Sequence, residues 1–160
     1  MLGQAKFQMQ TMIANPVFLS LVFSWFSAQF IKTIIKLLSG KVHSLKELVE
    51  LMFWKTGGMP SSHTALVMSL CVSIGFRNGI TSDIFILSTA FALVVVRDAL
   101  GVRRSSGLQT RSLNELGMQL KKKGLIESFT PLKEVHGHKP TEVIMGCFLG
   151  IFVGIAFSVL

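Results

Sequence analysis

The segment GGMPSSHTA, residues 57–65, combines residue types that can hold and react with a phosphate group. Five of them are candidate site residues: Gly58, Pro60, Ser61, Ser62 and His63. The glycine and the proline interrupt regular structure, and the serine pair is typical of a helix start. Free N–H groups at such a start attract a phosphate oxygen, and a histidine in the first turn can protonate a leaving oxygen. The alternative is a serine N-cap beside a histidine that lies at the membrane interface.

A second polar group, RDALGVRR, occupies residues 97–104 at the end of an apolar stretch. Charged groups inside a membrane are costly and are usually functional or paired. Arg103 and Arg104 are candidate phosphate ligands, because a guanidinium can form two parallel hydrogen bonds with phosphate oxygens. Asp98 is a supporting candidate, and its alternative role is an ion pair with Arg97, Arg103 or Lys32. Three further polar candidates are Gly107, Gln109 and Asn114.

A third group, GHKPTEV, spans residues 137–143. His138 and Glu142 are four residues apart, so on a helix they share one face. A carboxylate that binds one imidazole nitrogen fixes the tautomer and leaves the other nitrogen nucleophilic. The alternative is a pair that only starts a helix. His136 is a neighbouring histidine, but no ligand spacing indicates a metal site.

Two lysines lie on one face of the first apolar stretch, near its basic end. They are Lys32 and Lys36, close to Gln29. Each is either a phosphate contact or a side chain that extends its ammonium group to the membrane surface. We treat Lys32 as a candidate phosphate ligand.

Composition places these residues in a membrane protein. Half of the 160 residues are hydrophobic, only 15% are charged, and the mean hydropathy is +0.58. A soluble domain usually carries about 25% charged residues, and a disordered chain has low hydrophobicity, so both classes are excluded. Cys71 and Cys147 lie in apolar runs and are typical of small buried side chains rather than of a disulfide.

Four apolar stretches predict an all-α, polytopic membrane helix bundle with about four spans. They are residues 17–38, 61–76, 84–100 and 143–160. The first has 22 residues, enough to cross a hydrocarbon core of about 30 Å, and Asn15–Pro16 sets its start. A signal peptide is the competing interpretation of this end, but the apolar run is too long and no convincing cleavage site follows. No repeat or linker divides the chain, so we expect a single transmembrane domain, residues 1–160.

Four spans would place the polar connectors 40–60 and 101–140 on one face of the membrane. The connectors hold eleven of the sixteen Lys and Arg residues: Lys41, Lys46, Lys55, Arg103, Arg104, Arg111, Lys121, Lys122, Lys123, Lys133 and Lys139. The positive-inside rule then predicts a cytoplasmic basic face, with both termini outside, in a plasma or inner membrane. Bases that gather around a phosphate site would produce the same bias.

Both connectors contain helix-start patterns. Ser44 with Glu47, and Ser112 with Glu115, match a capping box ahead of apolar residues. We expect interfacial helices on the bilayer, with the lysine run 121–123 at headgroup level. A solvated loop is the alternative for that run.

Glycines recur every four residues in the last apolar stretch, at Gly146, Gly150 and Gly154. Such a stripe allows close helix packing, either within the chain or between two chains. A homodimer through these glycines is therefore one expectation.

Three motifs in this order, "GGMPSSHTA", "RDALGVRRSSGLQ…LN" and "GHKPTEVIMGCFLG", resemble the divergent membrane branch of the type 2 phosphatidic acid phosphatase superfamily. That superfamily also contains the vanadium-dependent haloperoxidases. The resemblance covers about residues 15–160. It implies that Pro60–His63 corresponds to a Pro-Ser-Gly-His motif, with His63 as general acid. It also implies that His138 attacks phosphorus and that Glu142, in place of an aspartate, orients it.

Two parts of the family pattern are missing from the chain. The usual Ser-Arg pair before the nucleophile is absent, since Pro131 and Leu132 stand there, and the usual lysine followed by Arg-Pro is absent too. We infer that Lys32, Arg103 and Arg104 replace those cations. These departures bear on whether the chain is active.

The resemblance implies a lipid phosphate or pyrophosphate phosphatase that forms a phosphohistidine. We expect no cofactor, no metal and no nucleic-acid partner, with a lipid phosphate and membrane lipids as the partners. The alternative is a non-catalytic protein that binds or transports lipid phosphates in a degenerate phosphatase pocket. A structural membrane protein whose polar groups pair only with one another is a third expectation.

Overall fold

The computed structural model describes residues 2–40, 58–133 and 139–160, together with Ser44 and Val49. These residues form helices and no strand, which confirms the predicted all-α class. In chain order the helices are α1 (Leu2–Ile13), α2 (Pro16–Leu38), α3 (Ser62–Asn78), α4 (Asp83–Leu100), α5 (Val102–Lys122) and α6 (Pro140–Val159).

Side-chain caps set the starts of α2 and α4. The Asn15 side chain accepts a hydrogen bond from the Val17 N–H at 2.9 Å, and proline occupies the first turn of α2. This confirms the start that Asn15–Pro16 predicts, because proline lacks the N–H that a first turn leaves unpaired anyway. Ser82 caps α4 in the same way, accepting from the Phe85 N–H at 3.3 Å.

Helix α3 is the central helix, and it packs against α2, α4 and α6. It runs antiparallel to α2, since Ser20 bonds Ser73 at 2.8 Å while Lys32 bonds Ser62 at 3.1 Å. Between these two contacts many of the buried residues are small, including Ala28 and Ala65. Small residues allow the helix backbones to approach closely, which replaces the hydrophobic driving force that lipid does not supply.

The glycine stripe of α6 packs against α3 within the chain. Gly146, Gly150 and Gly154 are all buried. A Cβ on Gly146 would lie 2.5 Å from the carbonyl oxygen of Ser61, and one on Gly150 would collide with the carbonyl of Ala65. The stripe therefore allows close helix packing within the chain, which is one of its two predicted uses. A homodimer stays a prediction, and its contact would have to involve other residues.

The span count differs from the sequence expectation. By length and composition, three segments of the described residues can cross a membrane: Pro16–Leu38, Asp83–Lys122 and Pro140–Val159. The expected span 61–76 does form helix α3, but this helix has 17 residues and a polar packing surface. Because neighbouring helices enclose α3, it does not need the length or the apolar surface of a lipid-facing span. The predicted count of about four is thus corrected to about three.

Two helices differ from the sequence prediction. Helix α1 was not predicted, and most of its side chains are exposed. Helix α5 contains the predicted helix at residues 112–120 and extends it back to Val102. The predicted helix that starts at Ser44 lies mostly outside the described residues.

The segment that follows α5 folds back along that helix. The Asn114 side chain donates to the Leu132 carbonyl at 2.9 Å and accepts from the Leu132 N–H at 2.8 Å. Phe129 packs so closely against Gly117 that a Cβ there would overlap its ring. These contacts fix the path of the chain a few residues before α6 begins.

Candidate functional site

Lys32 is a buried cation between two helices. Its side chain is only 4% exposed, although it belongs to the membrane-spanning helix α2. The ammonium donates to the Gln29 side-chain oxygen at 3.2 Å and to the Ser62 hydroxyl at 3.1 Å. Glu142 and Lys36 are the charged groups that act on it electrostatically. A buried ammonium is costly unless it is paired or functional, so Lys32 and its partners make this end of the bundle the candidate site.

Helix α3 starts at this cation. Ser61 caps the helix, and its hydroxyl accepts from the Thr64 N–H at 3.4 Å and from the Thr64 hydroxyl at 3.0 Å. Ser62 is buried beside Lys32, whereas His63 is exposed in the same turn. The early N–H groups of a helix have no partner within the helix, so this start presents donors and a positive dipole end next to the ammonium.

A backbone hydrogen bond joins the starts of α3 and α6. The Ser61 N–H donates to the Glu142 carbonyl oxygen at 2.9 Å. Both the N–H and the hydroxyl of Ser61 therefore have partners inside the chain, and the predicted phosphate contacts of Ser61 and Ser62 stay predictions. Lys32, Ser62 and Glu142 come from three helices, and we call this cluster the α2–α3–α6 junction.

Glu142 also caps its own helix. Its carboxylate accepts from the Lys139 N–H at 3.3 Å, as in the expected helix-start alternative, and it makes a further interaction. A carboxylate at this position is favourable because the helix start carries a partial positive charge. His138 and His136 lie outside the described residues, so the predicted His138–Glu142 pair stays a prediction.

The approach to α3 lies against α2. Gly58 has a φ of 99°, which favours glycine, and a Cβ there would lie 3.7 Å from the Lys36 side chain. Pro60 is buried just before the serine cap. Both supporting residues shape the loop that leads to the junction.

The predicted arginine ligands lie elsewhere. Arg103 forms an ion pair with Asp98 at 2.7 Å, and both side chains are substantially exposed, at 46% and 37%. Arg104 is exposed as well. Among the described helices, α5 contacts only α4, so neither arginine is packed against the junction. The structure thus contains a local Asp98–Arg103 ion pair, which was the predicted alternative to a supporting role for Asp98 in a phosphate site.

Sequence reasoning undervalued two polar groups. Thr64 is fully buried and ties its hydroxyl to the helix cap, and Gln29 is 5% exposed and orients Lys32. Gln29 lies three residues before Lys32, a spacing at which helical side chains meet, and this was the available signal. Asn114 was one of three polar candidates, but its backbone partner lies 18 residues away and nothing local indicates it.

The model of the family described as "Divergent PAP2 family" matches residues 13–153, nearly the whole chain. The chain belongs to this family. A relative in Bacillus subtilis (strain 168), described as "Uncharacterized membrane protein YuiD", is 35% identical over 113 residues, which are 64% of this chain and 72% of the relative. No solved structure matches the chain.

Membership in the divergent PAP2 family agrees with the resemblance of the three motifs. The matched region contains helices α2 to α5 and most of α6, and therefore the whole α2–α3–α6 junction. With three segments able to cross a membrane and a membrane-protein relative, the chain is an integral membrane protein.

Proposed function

We propose that this protein is a membrane-embedded phosphatase that hydrolyses a lipid phosphomonoester or diphosphate. The observation that carries the proposal is the convergence of Lys32, Ser62 and Glu142 at one end of the bundle. Lys32 bonds Ser62 at 3.1 Å, and the neighbouring Ser61 N–H bonds the Glu142 carbonyl at 2.9 Å. A buried ammonium next to a helix start is a favourable place for a phosphate, because both offer donors in a region that excludes water.

In the proposed reaction His138 is the nucleophile. Its free nitrogen attacks phosphorus, the bond from phosphorus to the lipid oxygen breaks, and His63 gives that oxygen a proton. Water then attacks the phosphohistidine, His63 takes a proton from the water, and inorganic phosphate leaves. Glu142 orients His138 by hydrogen bonding.

The charge that spreads over the phosphate oxygens requires donors from the protein. We assign this role to Lys32, Ser62 and the N–H groups of the first turn of α3. Arg103 belongs to the proposal only if a bound lipid phosphate draws it away from Asp98, and we rank both Arg103 and Arg104 below Lys32.

A degenerate binding protein is the second candidate. The ion pair between Asp98 and Arg103 favours this candidate. Arg103 is one of the cations expected to replace those missing from the family pattern, and Asp98 already neutralises it. Such a protein would hold a lipid phosphate at the junction without turnover.

Phosphate release from purified full-length protein separates the two candidates. The substrates are phosphatidate, an isoprenoid diphosphate and a sphingoid phosphate, and the variants are His138→Ala and the neighbouring His136→Ala as control. The proposal expects release by the wild type, a loss of at least about 10³-fold in His138→Ala, and little change in His136→Ala. Binding of these lipids without release by the wild type establishes the second candidate, and equal turnover by His138→Ala contradicts the mechanism.

A further inference from the structure

One cavity lies outside the junction, in the angle between α4 and α5. It has a volume of about 1040 Å³ and is lined by residues within 93–100 of α4, by Gly101 and by residues within 102–109 of α5. We call it the α4–α5 groove. Leu93 is 66% exposed and Val102 is 67% exposed, so the groove opens away from the bundle.

The groove has an apolar wall and a polar end. Leu93, Val96 and Leu100 supply the wall from α4, while Ser105, Ser106 and Gln109 face them from α5. Arg97 lies in the last turn of α4. It is one turn, or about 6 Å, beyond Leu93 along the helix. An acyl chain against the wall would therefore place its headgroup beside a guanidinium, two hydroxyls and an amide.

The charge of the groove is a single positive charge. Its described lining contains Arg97 and no acidic residue. The nearest carboxylate in the sequence, Asp98, is already paired with Arg103 at 2.7 Å. Within the described part of the chain, the Arg97 side chain forms no ion pair or hydrogen bond, although an arginine in a segment able to span a membrane normally has a partner.

We propose that the α4–α5 groove binds one anionic phospholipid of the bilayer, a phosphodiester such as phosphatidylglycerol, through Arg97. A phosphodiester carries one negative charge and matches the single guanidinium, whereas a phosphomonoester carries about 1.5 to 2 negative charges at neutral pH. The guanidinium can bind two phosphate oxygens at once, and the hydroxyls of Ser105 and Ser106 can reach the headgroup. This lipid is a bound partner of the protein rather than the substrate of the proposed phosphatase.

Lipid binding to the full-length protein in a neutral detergent tests the proposal. Phosphatidylglycerol and phosphatidylcholine are titrated separately, and bound lipid per chain is counted by native mass spectrometry. The variants are Arg97→Gln, Arg97→Lys and the control Arg77→Gln, whose arginine is also exposed in the last turn of its helix. Circular dichroism checks that each variant keeps the wild-type helix content.

The expected result is one tightly bound phosphatidylglycerol per wild-type chain and weaker binding of phosphatidylcholine. Arg97→Gln should weaken phosphatidylglycerol binding by about tenfold or more, the effect of losing a hydrogen bond to a charged group. Arg97→Lys should bind phosphatidylglycerol more weakly than the wild type but more tightly than Arg97→Gln. Arg77→Gln should bind it as tightly as the wild type.

Three results would overturn the proposal. They are equal binding of the two lipids by the wild type, an unchanged Arg97→Gln, and an equal loss in Arg77→Gln. A lipid phosphomonoester that displaces phosphatidylglycerol and depends more strongly on Arg97 would show that the groove takes the substrate instead. The first three results do not bear on phosphate release at the junction, whereas the last would also move the substrate site away from it, so a failure of either proposal is distinguishable.

Discussion

The α2–α3–α6 junction and the α4–α5 corner, which holds Asp98, Arg103 and Arg104, carry similar polar residues in different environments. At the junction, Lys32 is 4% exposed and its partner Ser62 lies 30 residues away in the sequence. At the corner, Asp98 and Arg103 are five residues apart and both are exposed. An exposed local ion pair is weak, whereas a buried cation held by a distant helix is maintained by the whole fold. The difference is that the fold as a whole holds the charge at the junction, whereas a local contact holds the charges at the corner.

The junction also rests on close helix packing that the corner lacks. Helix α6 lies against α3 through three buried glycines, while α5 contacts α4 alone among the described helices. Substitutions at the junction should therefore have larger effects on stability and activity than substitutions at the corner.

Replacing Gly150 by valine should prevent α6 from docking on α3. A Cβ at this position would overlap the Ala65 carbonyl, and backbone cannot move aside cheaply. We expect loss of the folded protein, or a destabilisation of several kcal/mol, on the order of 4 kcal/mol or more. Thermal unfolding in detergent measures it. Gly3→Val is the control, because a Cβ at Gly3 meets nothing within 4 Å; equal destabilisation by both variants would contradict the packing.

Replacing Lys32 by methionine should remove the main positive charge from the junction while keeping a long side chain. We expect phosphate release to fall by about 10² to 10³-fold, the usual cost of losing one donor to a developing anion. The measurement is kcat/KM on the lipid phosphate that the wild type hydrolyses best. A parallel Arg103→Gln variant should change it by less than about tenfold, since an exposed ion pair holds that arginine. The reverse ranking would move the anion site to the corner.

Replacing Asp98 by asparagine should change stability little. The pair with Arg103 is exposed, so its loss should cost about 1 kcal/mol or less, and the cost should shrink further at high salt. Denaturant unfolding at two ionic strengths measures it. A loss of several kcal/mol, independent of salt, would mean that the pair is buried in the folded protein and that the two regions are alike.

The smallest effect concerns two serines one turn apart in α2. Ser20 bonds Ser73 at 2.8 Å, whereas Ser24 is fully buried and its hydroxyl has no partner among the described residues. Ser20→Ala should cost about 0.6 kcal/mol, typical of a hydrogen bond between membrane helices, and Ser24→Ala should cost nothing. Matched thermal unfolding of the two variants compares them. A larger loss in Ser24→Ala would show that this hydroxyl has a partner after all.

The sequence predicts local features well, because they depend on neighbouring residues. The start of α2 at Asn15–Pro16, the serine that opens α3 and the Asp98–Arg103 pair each involve groups within five residues of one another. The Lys32–Ser62 contact is different. It requires α2 and α3 to pack antiparallel in one register. That register depends on how the small residues between Ser20 and Lys32 fit against α3, which the sequence alone does not show.

Two features depend on which helices become neighbours. The span count was too high because residues 61–76 were counted as a lipid-facing span, although α3 has 17 residues and packs against α2, α4 and α6. The glycine stripe left two uses open, because a sequence does not show which helix it faces. Helix α1 was missed for another reason, since its apolar residues follow no clear one-sided pattern.

A structure of the protein bound to orthovanadate tests the central claim most directly. Vanadate imitates phosphate in its pentacoordinate transition state, so it should occupy the anion site. The account predicts one vanadate at the junction, bonded to a nitrogen of His138 and within hydrogen-bonding distance of the Lys32 ammonium and of His63. Vanadate held instead by Arg103 and Arg104 at the corner, or His63 and His138 too far apart to contact the same anion, would contradict it.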